Sequence, residues 1–140
     1  MQGAYQEDEL LDRAAFEQAR SELGANFVRI VGYFREDGEK SLIRIEEAGG
    51  TLNAAALVLP AHTLKGEARQ LGAELLADLA ETIEMIGREC VEQHDDPSEA
   101  IEHIARLRSV FRATLETLES AASPLMTRRP GFGRRVAPSI

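Results

Sequence analysis

Apolar side chains recur every three or four residues along most of the chain, which is the spacing of one face of an α-helix. Strand-like alternation occurs only in very short stretches, and no internal repeat is evident. The pattern predicts five helices. The first begins after Asp12, a favourable N-cap residue, and the second is long and ends at Gly49 and Gly50.

The third helix has the narrowest apolar seam, with spacings of four and three residues. Pro60 lies inside this seam, and because proline removes a helical hydrogen bond we expect the helix to begin near Leu57. The seam consists of Leu57, Ala61, Leu64, Ala68 and Leu71. Gly72 then predicts an end or a bend.

The last two helices follow the same spacing. The fourth has the apolar positions Leu76, Leu79, Ile83, Ile86 and Cys90. Asp96 is a plausible N-cap for the fifth helix, with Pro97 at its first position and Glu99 completing a capping box. The predicted buried face of that helix is Ile101, Ile104, Leu107, Phe111, Leu115 and Leu118.

Long amphipathic helices joined by short connections pack as antiparallel neighbours. The sequence therefore predicts an all-α fold, an antiparallel up-down four-helix bundle with an additional N-terminal helix. A chain of 140 residues has room for one such domain, which we place at residues 1–122. Residues 123–140 are rich in proline, glycine and arginine, and we expect a flexible basic tail there.

Charge and composition narrow the range of functions. The formal net charge of −8 divides into −12 for residues 1–122 and +4 for the tail, so the folded body would repel nucleic acid. No apolar run reaches the roughly 20 residues that span a bilayer, the N-terminus is too acidic for a secretory signal, and Cys90 has no partner for a disulfide. We expect a cytoplasmic monomer that binds neither membranes nor nucleic acid.

The third helix has a second stripe beside its apolar seam. His62, Lys65, Gly66 and Arg69 share one face, because residues three and four apart are neighbours on a helix. Imidazole is largely neutral near pH 7, so a ring nitrogen can attack phosphorus, and the two cations can neutralise the oxygens of a phosphoryl group. Gly66 costs about 1 kcal/mol relative to alanine inside a helix, which is explained if a partner approaches there.

The segment from Ala61 to Ala68, AHTLKGEA, followed by Leu71, Gly72 and Ala73 and by the leucines of the fourth helix, resembles the signature of histidine-containing phosphotransfer (HPt) domains. The likeness extends over roughly residues 10 to 120. It implies a phosphocarrier in a two-component phosphorelay, with response-regulator receiver domains and hybrid or sensor histidine kinases as partners.

The resemblance also implies roles for individual residues. His62 would carry the phosphoryl group, Lys65 would lie near it, and Gly66 would give clearance to the receiver. Glu84 falls where such domains place a Gln or Glu that hydrogen-bonds the other imidazole nitrogen. The protein would need no cofactor of its own, because the receiver supplies Mg²⁺. Arg69 is a candidate from helical spacing alone, and a solvated surface arginine is its simpler interpretation.

Other interpretations stay open. Glu67 stands where the family commonly has a small residue, and its charge would lie close to the phosphate, so a helical adaptor that binds receivers without stable phosphorylation is the main alternative. A sensor kinase is the nearest enzymatic alternative, but the chain has no Gly-rich nucleotide loop and no room for an ATP-binding domain, so we expect no autokinase activity. The pairs Cys90 with His94 and Glu99 with His103 share helical faces, but we assign no metal.

Overall fold

The structure, a computed structural model, describes the backbone of residues 5–127 and the side chains up to residue 122. Six α-helices account for most of these residues, with two short 3-10 turns at Gly24–Asn26 and Ser98–Ala100. The helices are α1 (Glu7–Leu10), α2 (Arg13–Leu23), α3 (Phe27–Gly50), α4 (Ala54–Gln70), α5 (Glu74–Gln93) and α6 (Ile101–Thr127). Within the described residues there is no strand, and the predicted all-α class is confirmed.

The four long helices α3 to α6 form the bundle. Helix α4 packs between α3 and α5, and α6 closes the bundle against α3 and α5. The connections after α3 and α4 are short, which makes successive helices antiparallel neighbours. The predicted up-down four-helix bundle with an additional N-terminal helix, α2, is confirmed.

The core is aliphatic with a few phenylalanines. The predicted seam of α4 is buried along its whole length, and Leu57, Ala61, Leu64 and Ala68 have no measurable solvent exposure. Small residues let the helices approach closely elsewhere. A Cβ atom on Gly38 of α3 would overlap the ring of Phe111 on α6, so this glycine provides the space that the aromatic ring fills.

The N-terminal helices cover the end of the bundle where α4 turns into α5. Asp12 accepts a hydrogen bond from the amide of Ala15 at 3.0 Å, as its predicted N-cap role requires. The amide of Asp12 in turn donates to the carbonyl of Gly72 at 2.9 Å. Gly72 has a φ of +76°, and a Cβ there would lie 2.6 Å from the amide nitrogen of Phe16, so the contact requires glycine.

Two predicted helix starts are wrong. Helix α4 begins at Ala54, not near Leu57, because the side chain of Asn53 caps it by accepting from the amide of Ala56 at 3.1 Å. Pro60 lies buried inside the helix, which tolerates the loss of one hydrogen bond.

The last helix also begins later than predicted. The side chain of Asp96 accepts from the amide of Ser98, two residues on, and the chain enters α6 through the 3-10 turn rather than through a capping box. Ile101, predicted to be buried, is therefore in the first turn of α6 and 44% exposed.

The backbone of α6 continues to Thr127, five residues past the predicted domain boundary. The rest of the predicted tail lies outside the described residues, and its flexible character stays a prediction. Among the described helices, none is both long enough and apolar enough to cross a membrane.

Candidate functional site

His62 stands on the side of α4 that borders α5. Its neighbour Ala61 belongs to the buried seam, whereas the side chain of His62 is 56% exposed. The ring is turned so that Nδ1 lies 3.0 Å from Oε2 of Glu84 on α5. The Nδ1 edge of the imidazole is therefore held by the protein, while more than half of the side chain remains accessible to another molecule.

Glu84 is a buried carboxylate with three cationic or potentially cationic neighbours. The residue is 4% exposed. Besides His62, it contacts Arg88, whose Nη2 and Nε lie 2.7 and 2.9 Å from Oε2, and Lys65, whose Nζ forms an ion pair with Oε1 at 2.8 Å. Burial by itself would raise the pKa of Glu84, but its contacts with Lys65, Arg88 and His62 outweigh burial and lower the pKa to about 2.

The ionised state of Glu84 fixes the chemistry of the histidine ring. A carboxylate without a proton can only accept a hydrogen bond, so Nδ1 of His62 must carry the proton that it donates. In the neutral ring the lone pair is then on Nε2. The arrangement leaves the lone pair on one specific ring nitrogen, which is the chemical form of imidazole that can act as a nucleophile.

Lys65 lies one turn after His62, as the helical spacing predicts, and its side chain is 22% exposed. Its ammonium group is held by Glu84 at the base of the site. Glu84 therefore holds the cation close to the imidazole.

Arg88 is a site residue that the sequence analysis missed. It lies one turn after Glu84 on α5, and its guanidinium binds the same carboxylate oxygen as His62. An arginine four residues from a glutamate is common on helix surfaces, so only the assignment of Glu84 to the site could have pointed to it.

The surface around the ring is open and partly apolar. A Cβ atom on Gly66, one turn after His62, would meet no atom within 4 Å. Leu59, one turn before His62, is 68% exposed, and Met85, next to Glu84, is 60% exposed. The surface beside the imidazole is therefore open at Gly66 and has exposed apolar side chains on both helices.

Arg69 shares the predicted face of α4, but its guanidinium is engaged by α5. It lies 3.0 Å from Asp78 and from Glu81 and 3.5 Å from Glu74. These ion pairs join the two helices on the side of Gly66 away from His62. The role predicted for Arg69 in phosphate chemistry stays a prediction.

Glu67 lies on the other side of α4, towards α3. One carboxylate oxygen is buried without a hydrogen-bond partner among the described residues. Burial, together with the nearby charge of Asp37 on α3, raises the pKa of Glu67. The expectation that Glu67 places its charge beside the phosphate is not met, since five residues along a helix correspond to about 140° of rotation away from His62.

Metal ligands do not gather in the described part of the chain, where no three His, Cys, Asp or Glu side chains are placed to hold an ion. Cys90 is buried, and its thiol donates to the carbonyl of Asp96.

The fold and the site together define a class of helical domain: a four-helix bundle with an accessible histidine, oriented by a buried carboxylate, on its side. The sequence matches the model of the Hpt domain family over residues 29–121, and the chain belongs to that family. No curated protein sequence is a significant match.

Among solved structures, the chain is similar to the histidine-containing phosphotransfer protein B (HptB) from Pseudomonas aeruginosa PAO1. The TM-score is 0.71 at 22% sequence identity, over 81% of this chain and 95% of that one. The likeness supports the bundle fold.

Proposed function

We propose that the protein carries a phosphoryl group on Nε2 of His62, accepting it from the aspartyl phosphate of one receiver domain and passing it to the aspartate of another. Membership of the Hpt family supports histidine phosphotransfer in a phosphorelay. The single observation that carries the assignment to His62 is the hydrogen bond of its Nδ1 to buried Glu84, which leaves Nε2 as the nucleophile.

Each side chain has a distinct task in this proposal. Glu84 orients the ring, and Lys65 and Arg88 provide positive charge for the phosphoryl oxygens as the group moves. The receiver supplies its aspartate and Mg²⁺, so this chain on its own should be inert. We expect no autokinase activity.

Receiver docking would use the open surface around the ring. Leu59 and Met85 would be covered by the partner, and Gly66 would leave room for the receiver backbone to approach Nε2. The complex should be transient, because the protein must release one receiver before it meets the next. Hybrid or sensor kinases that contain receivers are included among the partners, and we expect a cytoplasmic monomer.

The test is to mix the purified chain with a panel of phosphorylated receiver domains and to measure acid-labile, base-stable phosphate on it. Wild-type protein should take up phosphate, and His62→Gln should not. His103→Gln, in which a histidine on α6 is replaced, is the matched control and should behave like wild type. Phosphate uptake by His62→Gln would overturn the assignment.

The same variant separates the carrier from the adaptor alternative. If the protein is a carrier, His62→Gln should still bind a receiver while phosphate uptake is lost. Receiver binding by the wild-type chain without any phosphate uptake from any receiver would favour the adaptor.

A further inference from the structure

We propose that Glu84, beyond orienting His62, sets how readily the phosphorylated ring gives up its phosphoryl group, and that Arg88 acts against it by sharing the same carboxylate oxygen. The inference rests on the proposed function. It makes Glu84 and Arg88 positioning residues with opposite effects on the pH dependence of transfer.

The argument starts from the electron balance of the reaction. The Nε2 lone pair forms the N–P bond while the bond from phosphorus to the aspartate oxygen breaks, and the aspartate leaves with that electron pair. The Nδ1 proton stays in place, so the phosphorylated ring is an imidazolium.

The proton on Nδ1 then decides the next step. On transfer to a second aspartate, the N–P electrons return to Nε2, and a protonated ring leaves as neutral imidazole. A ring that has lost the proton would have to leave as an anion, which is a far poorer leaving group. Phosphohistidine should therefore be reactive with the Nδ1 proton and inert without it.

The structure places a fixed negative charge against this proton. Oε2 of Glu84 is 3.0 Å from Nδ1, and the Glu84 side chain is only 5% exposed, so water screens this carboxylate weakly, whereas the His62 side chain is 56% exposed. A buried carboxylate at hydrogen-bond distance favours the imidazolium and should keep the ring reactive to higher pH. A neutral amide at the same place would orient the ring equally but supply no charge.

Arg88 weakens this effect. Its guanidinium binds Oε2, the oxygen that faces Nδ1, and its side chain is 57% exposed. The other cation on Glu84 is Lys65, which binds Oε1. Arg44 and Glu47 of α3 line a separate groove with Leu59, and neither His62 nor Glu84 lines that groove. Only Arg88 shares the oxygen that holds the Nδ1 proton, among the residues that the structure describes.

The experiment measures the rate of phosphoryl transfer from the pre-phosphorylated chain to a receiver, and the rate of spontaneous hydrolysis, between pH 5.5 and 9. Phosphoramidate can load His62 without a kinase. Wild type is compared with Glu84→Gln and Arg88→Gln, and Arg106→Gln, an exposed arginine of α6, is the matched control.

Glu84→Gln should react like wild type at pH 5.5, but its rate should begin to decline at a lower pH than that of wild type. The ratio of the wild-type rate to the Glu84→Gln rate should therefore increase from pH 5.5 to pH 8. Arg88→Gln should fall off at higher pH than wild type. A ring that is merely misoriented would be slower by the same factor at every pH, so parallel profiles for wild type and Glu84→Gln would overturn the inference.

Two further outcomes are informative. Arg88→Gln tests the inference independently if Glu84→Gln fails to fold, and a shift of its profile to lower pH would contradict the inference. No phosphate on wild-type His62 would overturn the proposed function together with this inference, whereas normal uptake with parallel profiles would overturn the inference alone.

Discussion

Gly87 of α5 lies against the backbone of Ala54 at the beginning of α4. A Cβ on Gly87 would be 3.1 Å from the carbonyl oxygen of Ala54 and 3.2 Å from Cγ2 of Val58. Gly87 is one turn from Glu84, and Val58 is one turn from His62. The close approach of the two helices at this glycine therefore lies next to the hydrogen bond that orients the histidine.

The contact predicts that Gly87→Ala separates the helices. Steric overlap with a backbone carbonyl should cost about 2–3 kcal/mol, and the better helix propensity of alanine should offset about 1 kcal/mol of this, so the free energy of unfolding should fall by about 1–2 kcal/mol. The Glu84 to His62 contact should loosen as well, and phosphate uptake should slow. Urea denaturation and uptake assays measure both effects. An unchanged free energy of unfolding would contradict this prediction, because it would show that the two helices accommodate the added methyl group.

Gly66→Ala should have the opposite effect on stability. No atom lies within 4 Å of the added methyl, so alanine should raise the free energy of unfolding by about 1 kcal/mol through its helix propensity. Transfer to receivers should nevertheless fall, because the methyl occupies the surface that the partner approaches. Gly32→Ala on α3, also with open space, is the control. Gly32→Ala should be more stable than wild type and should transfer phosphate at the wild-type rate. Equal transfer rates in Gly66→Ala and Gly32→Ala would contradict the assignment of Gly66 to the site.

Glu67→Gln should stabilise the protein at pH 7. Burial and the charge of Asp37 raise the pKa of Glu67 above its ordinary value of 4.5, so the folded state favours the protonated form. The penalty for ionisation is absent below about pH 4.5 and grows as the pH rises through the raised pKa. The gain should be up to about 1 kcal/mol, because the side chain is only partly buried.

The measurement is the free energy of unfolding of both proteins at pH 7 and at pH 4. The difference should be present at pH 7 and vanish at pH 4. Phosphate uptake should be unaffected, since Glu67 faces α3. A less stable variant at pH 7 would contradict the electrostatic argument.

Arg69→Gln should have little effect on stability or on the rate of phosphate transfer. Its ion pairs with Glu74, Asp78 and Glu81 are at the surface, and their loss should lower stability by no more than about 1 kcal/mol. Phosphate transfer should stay within about twofold of wild type, because these acids engage the guanidinium. Lys65→Gln provides the comparison and should slow transfer more. A tenfold loss in Arg69→Gln would instead place Arg69 at the phosphate.

The sequence by itself determined the five longer helices, apart from the starts of α4 and α6, and most of the residues that face outward on them. The apolar spacing predicted the buried seam of α4. Asp12 marked the start of α2, because its side chain caps the helix through a hydrogen bond from an amide only three residues later in the sequence. Local patterns succeed here because helical rotation fixes which residues share a face. The spacing of His62, Lys65 and Gly66 is of this kind. The role of Glu84 came from a family resemblance, since no local rule connects positions 62 and 84.

Only the tertiary structure decided how the faces meet. The register of α5 against α4 brings Glu84 to the ring and makes Arg88 part of the site. The same register lets the acidic side chains of α5 bind Arg69. The packing of α3 on α4 places Asp37 near Glu67. Register depends on how the side chains of two helices fit together. At Gly87 the two helices can approach closely because this position has no side chain. That fit involves residues distant in the chain, so periodicity along one helix cannot specify it.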